Sequence, residues 1–244
     1  MIPLYRDNPY LDQCKTIVDR VMPLPEKNQQ IIFPRETLFL KGGGQPMDHG
    51  SLAIENETLP LIDIIKEKGN TGYIISAIKP LQKGMEIKCF LDMDRRLRIM
   101  RLHSAQHLLS GTLRLIRKDI LTSGMWIDED VNSCTVIYPE VSGLKKSDLD
   151  QALKIYEELF NKNKKIFTEI ISSEQEAIIK YGDMYRPTSS SNSLKGKIRL
   201  IIIEDLEANA CGGTHVRNLS ETGRININNF TKFQNGIEIK FSLQ

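Results

Sequence analysis

The sequence predicts an α+β protein: a small N-terminal β-barrel followed by an α+β domain with an antiparallel sheet. Three observations carry the fold class. From Cys14 to about Leu91 the chain is a string of short β-rich runs punctuated by Gly, Pro and Asn. At Asp92 it turns helical, and strands and helices then mix without a βαβ rhythm. Residues 224–243 are alternating or β-branched on both sides of Asn235-Gly236, a strong hairpin signal. The domains read in this way are 1–91 and 92–244.

In the first domain CKTIVDRV, QQIIFP, TLFL, LPLIDIIK, GYIISAI and EIKCFLD each have the length of a strand. Their spacing suggests a barrel or sandwich, with EKGNTG as a hairpin turn and KPLQKG as a loop. In the second, Asp92 or Asp94 is placed to cap a helix of about five or six turns through RLHSAQHLLSG. SCTVIYP follows as a strand. SDLDQALKIYEELFNKN reads as a helix started by Ser147 and Asp150, with Leu149, Leu153, Tyr156 and Phe160 at apolar spacing. KKIFTEIIS and KIRLIIIED read as strands, SEQEAIIKYG as a short helix, and SSSNS, Ser189 to Ser193, as a surface loop.

A hydrophobic content of 40% with 26% charged residues is enough for a buried core, and a net charge of +2 neither demands nor excludes a nucleic-acid partner. No apolar run approaches the roughly 18 residues of a membrane span, and the N-terminus does not read as a signal peptide. Cys14, Cys89, Cys134 and Cys211 form no CxxC pair, which argues against a zinc ribbon and a disulfide framework and fits a reducing cytoplasm.

The chemistry lies in three stretches. His103 and His107 stand four residues apart on the long helix, so both imidazoles can face one point. Cys211 and His215 repeat that spacing around Gly212-Gly213, whose tolerance of positive φ suits a tight loop. Imidazole and thiolate together suit zinc. Ser104 stands where HExxH needs its glutamate, and the deaminase motifs are missing, so neither of those zinc chemistries applies. A structural zinc with all four positions filled stays open. The third stretch, KGGGQPMDHG, is neither a Walker loop nor a Rossmann turn. Gly42, Gly43 and Gly44 let backbone approach a ligand closely, with Gln45 and Asp48 beside it.

LFLKGGGQPMDHG, RLHSAQHLLSG and CGGTHV, in this order, resemble the editing domains of alanyl-tRNA synthetases and, more closely, the free-standing AlaX-type alanyl-tRNA editing proteins. DMYRP, IIIED and the C-terminal hairpin agree with that resemblance, which covers about residues 35–243. It implies a trans-acting, cytoplasmic, ATP-independent deacylase whose partner is the acceptor end of tRNA(Ala) carrying a wrong amino acid. The ester hydrolysed would be that of serine, or of glycine, with Ala-tRNA(Ala) spared. His103, His107, Cys211 and His215 match the family's zinc ligands, and Gly42, Gly43, Gly44, Gln45 and Asp48 its glycine-rich motif. Short relatives place a threonine after a tryptophan beyond the histidine helix; here Trp126 precedes Ile127, and Thr122 or Ser123 is the candidate hydroxyl.

Phosphate contacts are expected from Arg95, Arg96, Arg98 and Arg101, with Lys145, Lys146, Lys162, Lys164 and Lys165 as further candidates. Two other readings remain: a zinc hydrolase of another ester or amide, and a non-catalytic RNA-binding module with structural zinc.

Overall fold

Six antiparallel strands close the N-terminal unit into a barrel, in the order β1-β2-β5-β4-β3-β6. They are β1 (Gln13–Pro23), β2 (Gln29–Pro34), β3 (Gly50–Ile54), β4 (Glu57–Glu67), β5 (Asn70–Ser76) and β6 (Glu86–Leu91), preceded by the short helix α1 (Leu4–Asp7). The structure is a computed structural model that describes residues 3–25, 29–35, 37–67, 70–77, 79–118, 120–139, 143–187, 193–194, 196–234 and 236–244. Lys68 and Gly69 of the expected EKGNTG turn, SSSNS up to Asn192, and Asn235 lie outside the described residues.

Val18, Ile32, Leu52, Tyr73, Ile75, Ile87 and Cys89 fill the barrel as the inward positions of a period-two pattern. TLFL, expected as a strand, is not one. Leu38 and Phe39 are fully buried in the same core, but their N–H groups donate to the Tyr73 hydroxyl at 3.0 and 3.4 Å instead of to a neighbouring strand. The strand in that part of the chain is β3, GSLAI, whose small residues carry little β signal yet whose Leu52 and Ile54 face inward. Cys14 and Cys89 are distant in sequence but oppose each other across β1 and β6 as thiols. The Cys14 thiol and burial together hold the Cys89 thiol well above its ordinary pKa.

Helix α2 (Met93–Ile116) is the long helix, capped by Asp92, whose Oδ1 accepts from Arg95 N–H at 3.0 Å. The chain separates into two compact units, residues 1–42 with 46–97 and residues 43–45 with 98–244, so the division falls inside this helix. From Leu102 to Arg114 the helix is buried on every side: Leu102, Ala105, Leu108, Leu109 and Leu113 are all but inaccessible, as are Ser104, Ser110 and Thr112. It is the central rod of the second unit and not an amphipathic surface helix.

The rest of the second unit holds β7 (Gly124–Ile127), β8 (Ser133–Pro139), α3 (Lys146–Lys162), β9 (Ile166–Ile171), α4 (Glu174–Tyr181), β10 (Tyr185–Arg186), β11 (Ser193–Leu194), β12 (Lys197–Ile203), β13 (Glu207–Ala210), β14 (Ile225–Phe233) and β15 (Gly236–Leu243). One sheet runs β14-β15-β8-β7, all antiparallel. The other runs β10-β13-β12-β11 with β9 also on β12, and its only parallel pairing among the described residues is β10 with β13. The expected Ser147/Asp150 start of α3 is corrected: Asp148 Oδ2 accepts from Lys145 N–H at 2.9 Å, and Ser147 lies within the helix. Among the described residues no helix is long and apolar enough to cross a membrane.

Candidate metal centre

His103, His107, Cys211 and His215 converge. Their donor atoms lie within 4.8 Å of one another and all four side chains are buried. Cys211 Sγ stands 3.6 Å from His103 Nε2 and 3.4 Å from His215 Nε2. With zinc bonds of about 2.0–2.3 Å, tetrahedral neighbours sit about 3.3–3.8 Å apart, so these spacings fit a common ion. The histidine pair comes from one face of α2. The other pair comes from the loop after β13, and β12 holds that loop: Arg199, itself buried, donates from its guanidinium to Cys211 O and Gly213 O, both at 2.9 Å.

The protonation states fit a metal as well. Burial works to raise the Cys211 thiol, yet the surrounding His103 and His215 hold it well below its ordinary pKa, which favours thiolate. Burial pushes His215 well below the usual imidazole range and keeps it neutral. Both are the forms that bind a cation. His215 Nδ1 lies 3.0 Å from Ser104 Oγ, which also accepts from Val216 N–H at 3.2 Å. A proton on His215 Nδ1 directed at Ser104 leaves Nε2 as the lone pair facing Cys211.

The glycine-rich stretch divides. Gly42, Gly43 and Gly44 all have positive φ, at 108°, 70° and 82°, as a tight turn of glycines allows. Gly43 to Gln45 belong to the second unit. Gly44 O accepts from Ile127 N–H at 2.9 Å, and a Cβ on Gly44 would stand 2.1 Å from Met125 Sδ. Gln45 is buried against the metal loop: its Oε1 accepts from Thr214 N–H at 2.9 Å and its Nε2 donates to Thr214 Oγ1 at 3.0 Å. Asp48 does something else. Its carboxylate meets Arg96 through Oδ1 at 2.9 Å and Oδ2 at 2.5 Å, and also accepts from Leu40 N–H, all inside the barrel unit. With Asp48 at 2% exposure, it is the buried ion-pair partner of Arg96.

The arginines expected to meet phosphate differ in burial. Arg96 is fully buried and Arg95 nearly so, its Nε donating to Met47 O, whereas Arg98 is exposed and Arg101 half-buried. Lys146 pairs with Asp150 and Lys164 with Asp205; Lys145, Lys162 and Lys165 are exposed. Thr122 and Ser123 lie on the exposed approach to β7, with Ser123 Oγ donating to Ile137 O.

Residues 198–238 match the family described as the Threonyl and Alanyl tRNA synthetase second additional domain. Across 98% of this chain there is 27% identity to the alanine-tRNA ligase of Thermoplasma acidophilum, and across 94% there is 27% identity to the alanyl-tRNA editing protein AlaX-L of Pyrococcus horikoshii. The family resemblance is to the alanyl-tRNA editing proteins. The chain spans about a quarter of the ligase, 26%, and about half of AlaX-L, 54%. The match to the additional domain begins on β12 and takes in Arg199, Glu207 and the whole Cys211–His215 loop; the similarity to the editing protein and the ligase extends over nearly all the rest.

Four buried residues around the centre have no sequence signal of their own: Ser104, Arg114, Arg199 and Glu207. Each is an ordinary polar residue whose burial alone hints at a partner. The two loop glycines also answer to a different cause from the one expected. Neither Gly212 nor Gly213 has positive φ. At Gly213 the requirement is space, because a Cβ would lie 2.3 Å from His103 Cε1 and 2.4 Å from Gln45 Oε1. Gly213→Ala is therefore expected to cost about 1–3 kcal/mol in stability through overpacking and to displace His103. Zinc titration of the purified variant, with a wild-type control, checks it: unchanged affinity would contradict the contact.

Proposed function

We propose that this chain is a zinc-dependent deacylase that hydrolyses the ester between a wrong amino acid, serine or glycine, and the 3′-terminal adenosine of tRNA(Ala), sparing alanine. The observation that carries this reading is the buried His103, His107, Cys211, His215 cluster, with Gln45 of the glycine-rich loop locked onto its Cys211–His215 segment. The similarity to the alanyl-tRNA editing protein AlaX-L supports the substrate class.

The four clustered side chains would hold the ion, and zinc bound there supplies a Lewis acid for ester hydrolysis. The protein's own groups do the positioning. Arg199 fixes the carbonyls of Cys211 and Gly213, Gln45 fixes Thr214, and Ser104 orients His215. The centre is thus set before any ester arrives. Discrimination follows from the difference between the two substrates: serine carries one hydroxyl more than alanine, and a hydrogen-bonding site distinguishes that group far better than an apolar pocket excludes it. Thr122 and Ser123 remain the proposed donors, ahead of the β7 strand that Gly44 anchors. For the acceptor stem, Arg98 with Lys145, Lys162 and Lys165 are the exposed cations proposed to meet phosphates.

One observation favours a second reading, a structural zinc in an RNA-binding module: four protein donors fill a tetrahedral shell without an open position. A single assay separates the two. Ser-, Gly- and Ala-tRNA(Ala) are incubated with the zinc-loaded protein and with the chelated protein. Loss of serine about 100-fold or more faster than alanine, abolished by chelation, is the expected result. Binding of tRNA without turnover of any of the three would leave the structural reading in its place.

A further inference from the structure

His107, Gly111 and Arg114 lie at i, i+4 and i+7, one stripe along α2. The stripe packs against the turn into β13, so tightly at Gly111 that a Cβ there would meet Leu206 Cδ2 at 2.7 Å. The next residue, Glu207, has no solvent exposure at all, and both of its oxygens face the stripe. Oε1 is 3.0 Å from His107 Nδ1, an ion-pair separation off the hydrogen-bond line, and Oε2 contacts the Arg114 guanidinium. The 3.0 Å separation lies within hydrogen-bond reach of the ring nitrogen.

We infer that Glu207, backed by Arg114, is the positioning residue of the metal centre: it accepts the Nδ1 proton of His107 and so fixes that ring with Nε2 toward the ion. This rests on the metal reading proposed above, but not on any reaction being catalysed. Three arguments support it. A buried carboxylate needs partners, and here they are one cation and one metal-ligand candidate. A histidine that donates its outer N–H to a carboxylate is held in the ligating tautomer and made a better donor. Charge also requires the arrangement. Zinc with a Cys211 thiolate carries one net positive charge, and Arg114 buried a few ångströms away would repel it unless Glu207 stood between. Burial, with the neighbouring Arg186 charge, lowers Arg114 to about 10, which leaves it charged at neutral pH.

The test reads metal affinity. Zinc is titrated into full-length wild type, Glu207→Gln, and the double variant Glu207→Leu with Arg114→Met, in competition with a chromophoric chelator; cobalt spectra and melting of the metal-free proteins are recorded alongside. The double variant removes both buried charges, so it stays folded where a single change would strand Arg114. Expected are dissociation constants about 10–100-fold higher in both variants, shifted cobalt bands, and a metal-free double variant that melts near wild type. Affinity within about threefold of wild type with unchanged cobalt bands in the double variant would overturn the assignment. A protein that binds zinc in this Glu207-dependent way but removes no serine would remove the deacylase reading and leave this one standing.

Discussion

Asp48→Ala is expected to destabilise the barrel unit by about 3–5 kcal/mol, since it leaves Arg96 buried without its carboxylate. Arg96 at zero exposure binds Asp48 through two nitrogens, and among the described residues its other side-chain hydrogen bonds go to the carbonyls of Pro9 and Leu38. Those carbonyls cannot neutralise a guanidinium, and the Leu40 N–H that Asp48 now accepts would lose its partner as well. The measurement is the denaturant midpoint of the full chain followed by a probe in the barrel. Replacing both members, Asp48→Leu with Arg96→Met, should recover most of the loss, because the desolvation penalty disappears with the charges. A single variant as stable as wild type would mean that the pair is not closed in solution.

His107→Ala should remove metal retention and, with it, hydrolysis. The variant loses one of the four buried donors of the cluster. It should purify without zinc under conditions in which wild type holds one equivalent, as measured by elemental analysis. The stability that zinc confers should vanish too, about 4 kcal/mol when free zinc stands at 1,000 times its dissociation constant. A zinc-free variant that still removed serine from Ser-tRNA(Ala) would disconnect the metal from the chemistry.

What the sequence reveals here depends on whether a residue's reason is local. The two i, i+4 pairs are legible because histidine and cysteine are scarce in this chain and seldom fall at one-turn spacing twice by chance, and the long helix announces itself by its cap and period. β3 is illegible because Gly, Ser and Ala carry no strand preference; it is a strand only because β4 and β6 flank it. TLFL fails for the opposite reason: strong β formers find a hydroxyl, that of Tyr73, where a neighbouring strand was expected. Arg95 and Arg96 look like a basic surface until the fold turns them toward the 47–48 segment, and no pattern within DRRLR reveals which arginines point inward. Glu207 and Arg114 are separated by nearly a hundred residues, so their meeting is a property of how α2 and β13 pack, not of either stretch alone.

The three residues 43–45 have a further consequence. They sit with the second unit although the polypeptide before and after them builds the first. A fragment cut at residue 98 would look like a clean excision of the histidine-bearing half, yet it would leave Thr214 with an N–H and a hydroxyl facing an empty slot, and Ile127 N–H without its acceptor. Such orphaned groups cost about 1–3 kcal/mol each when shut away from water. The second unit is sewn from two separate lengths of chain, and no single incision lifts it out whole.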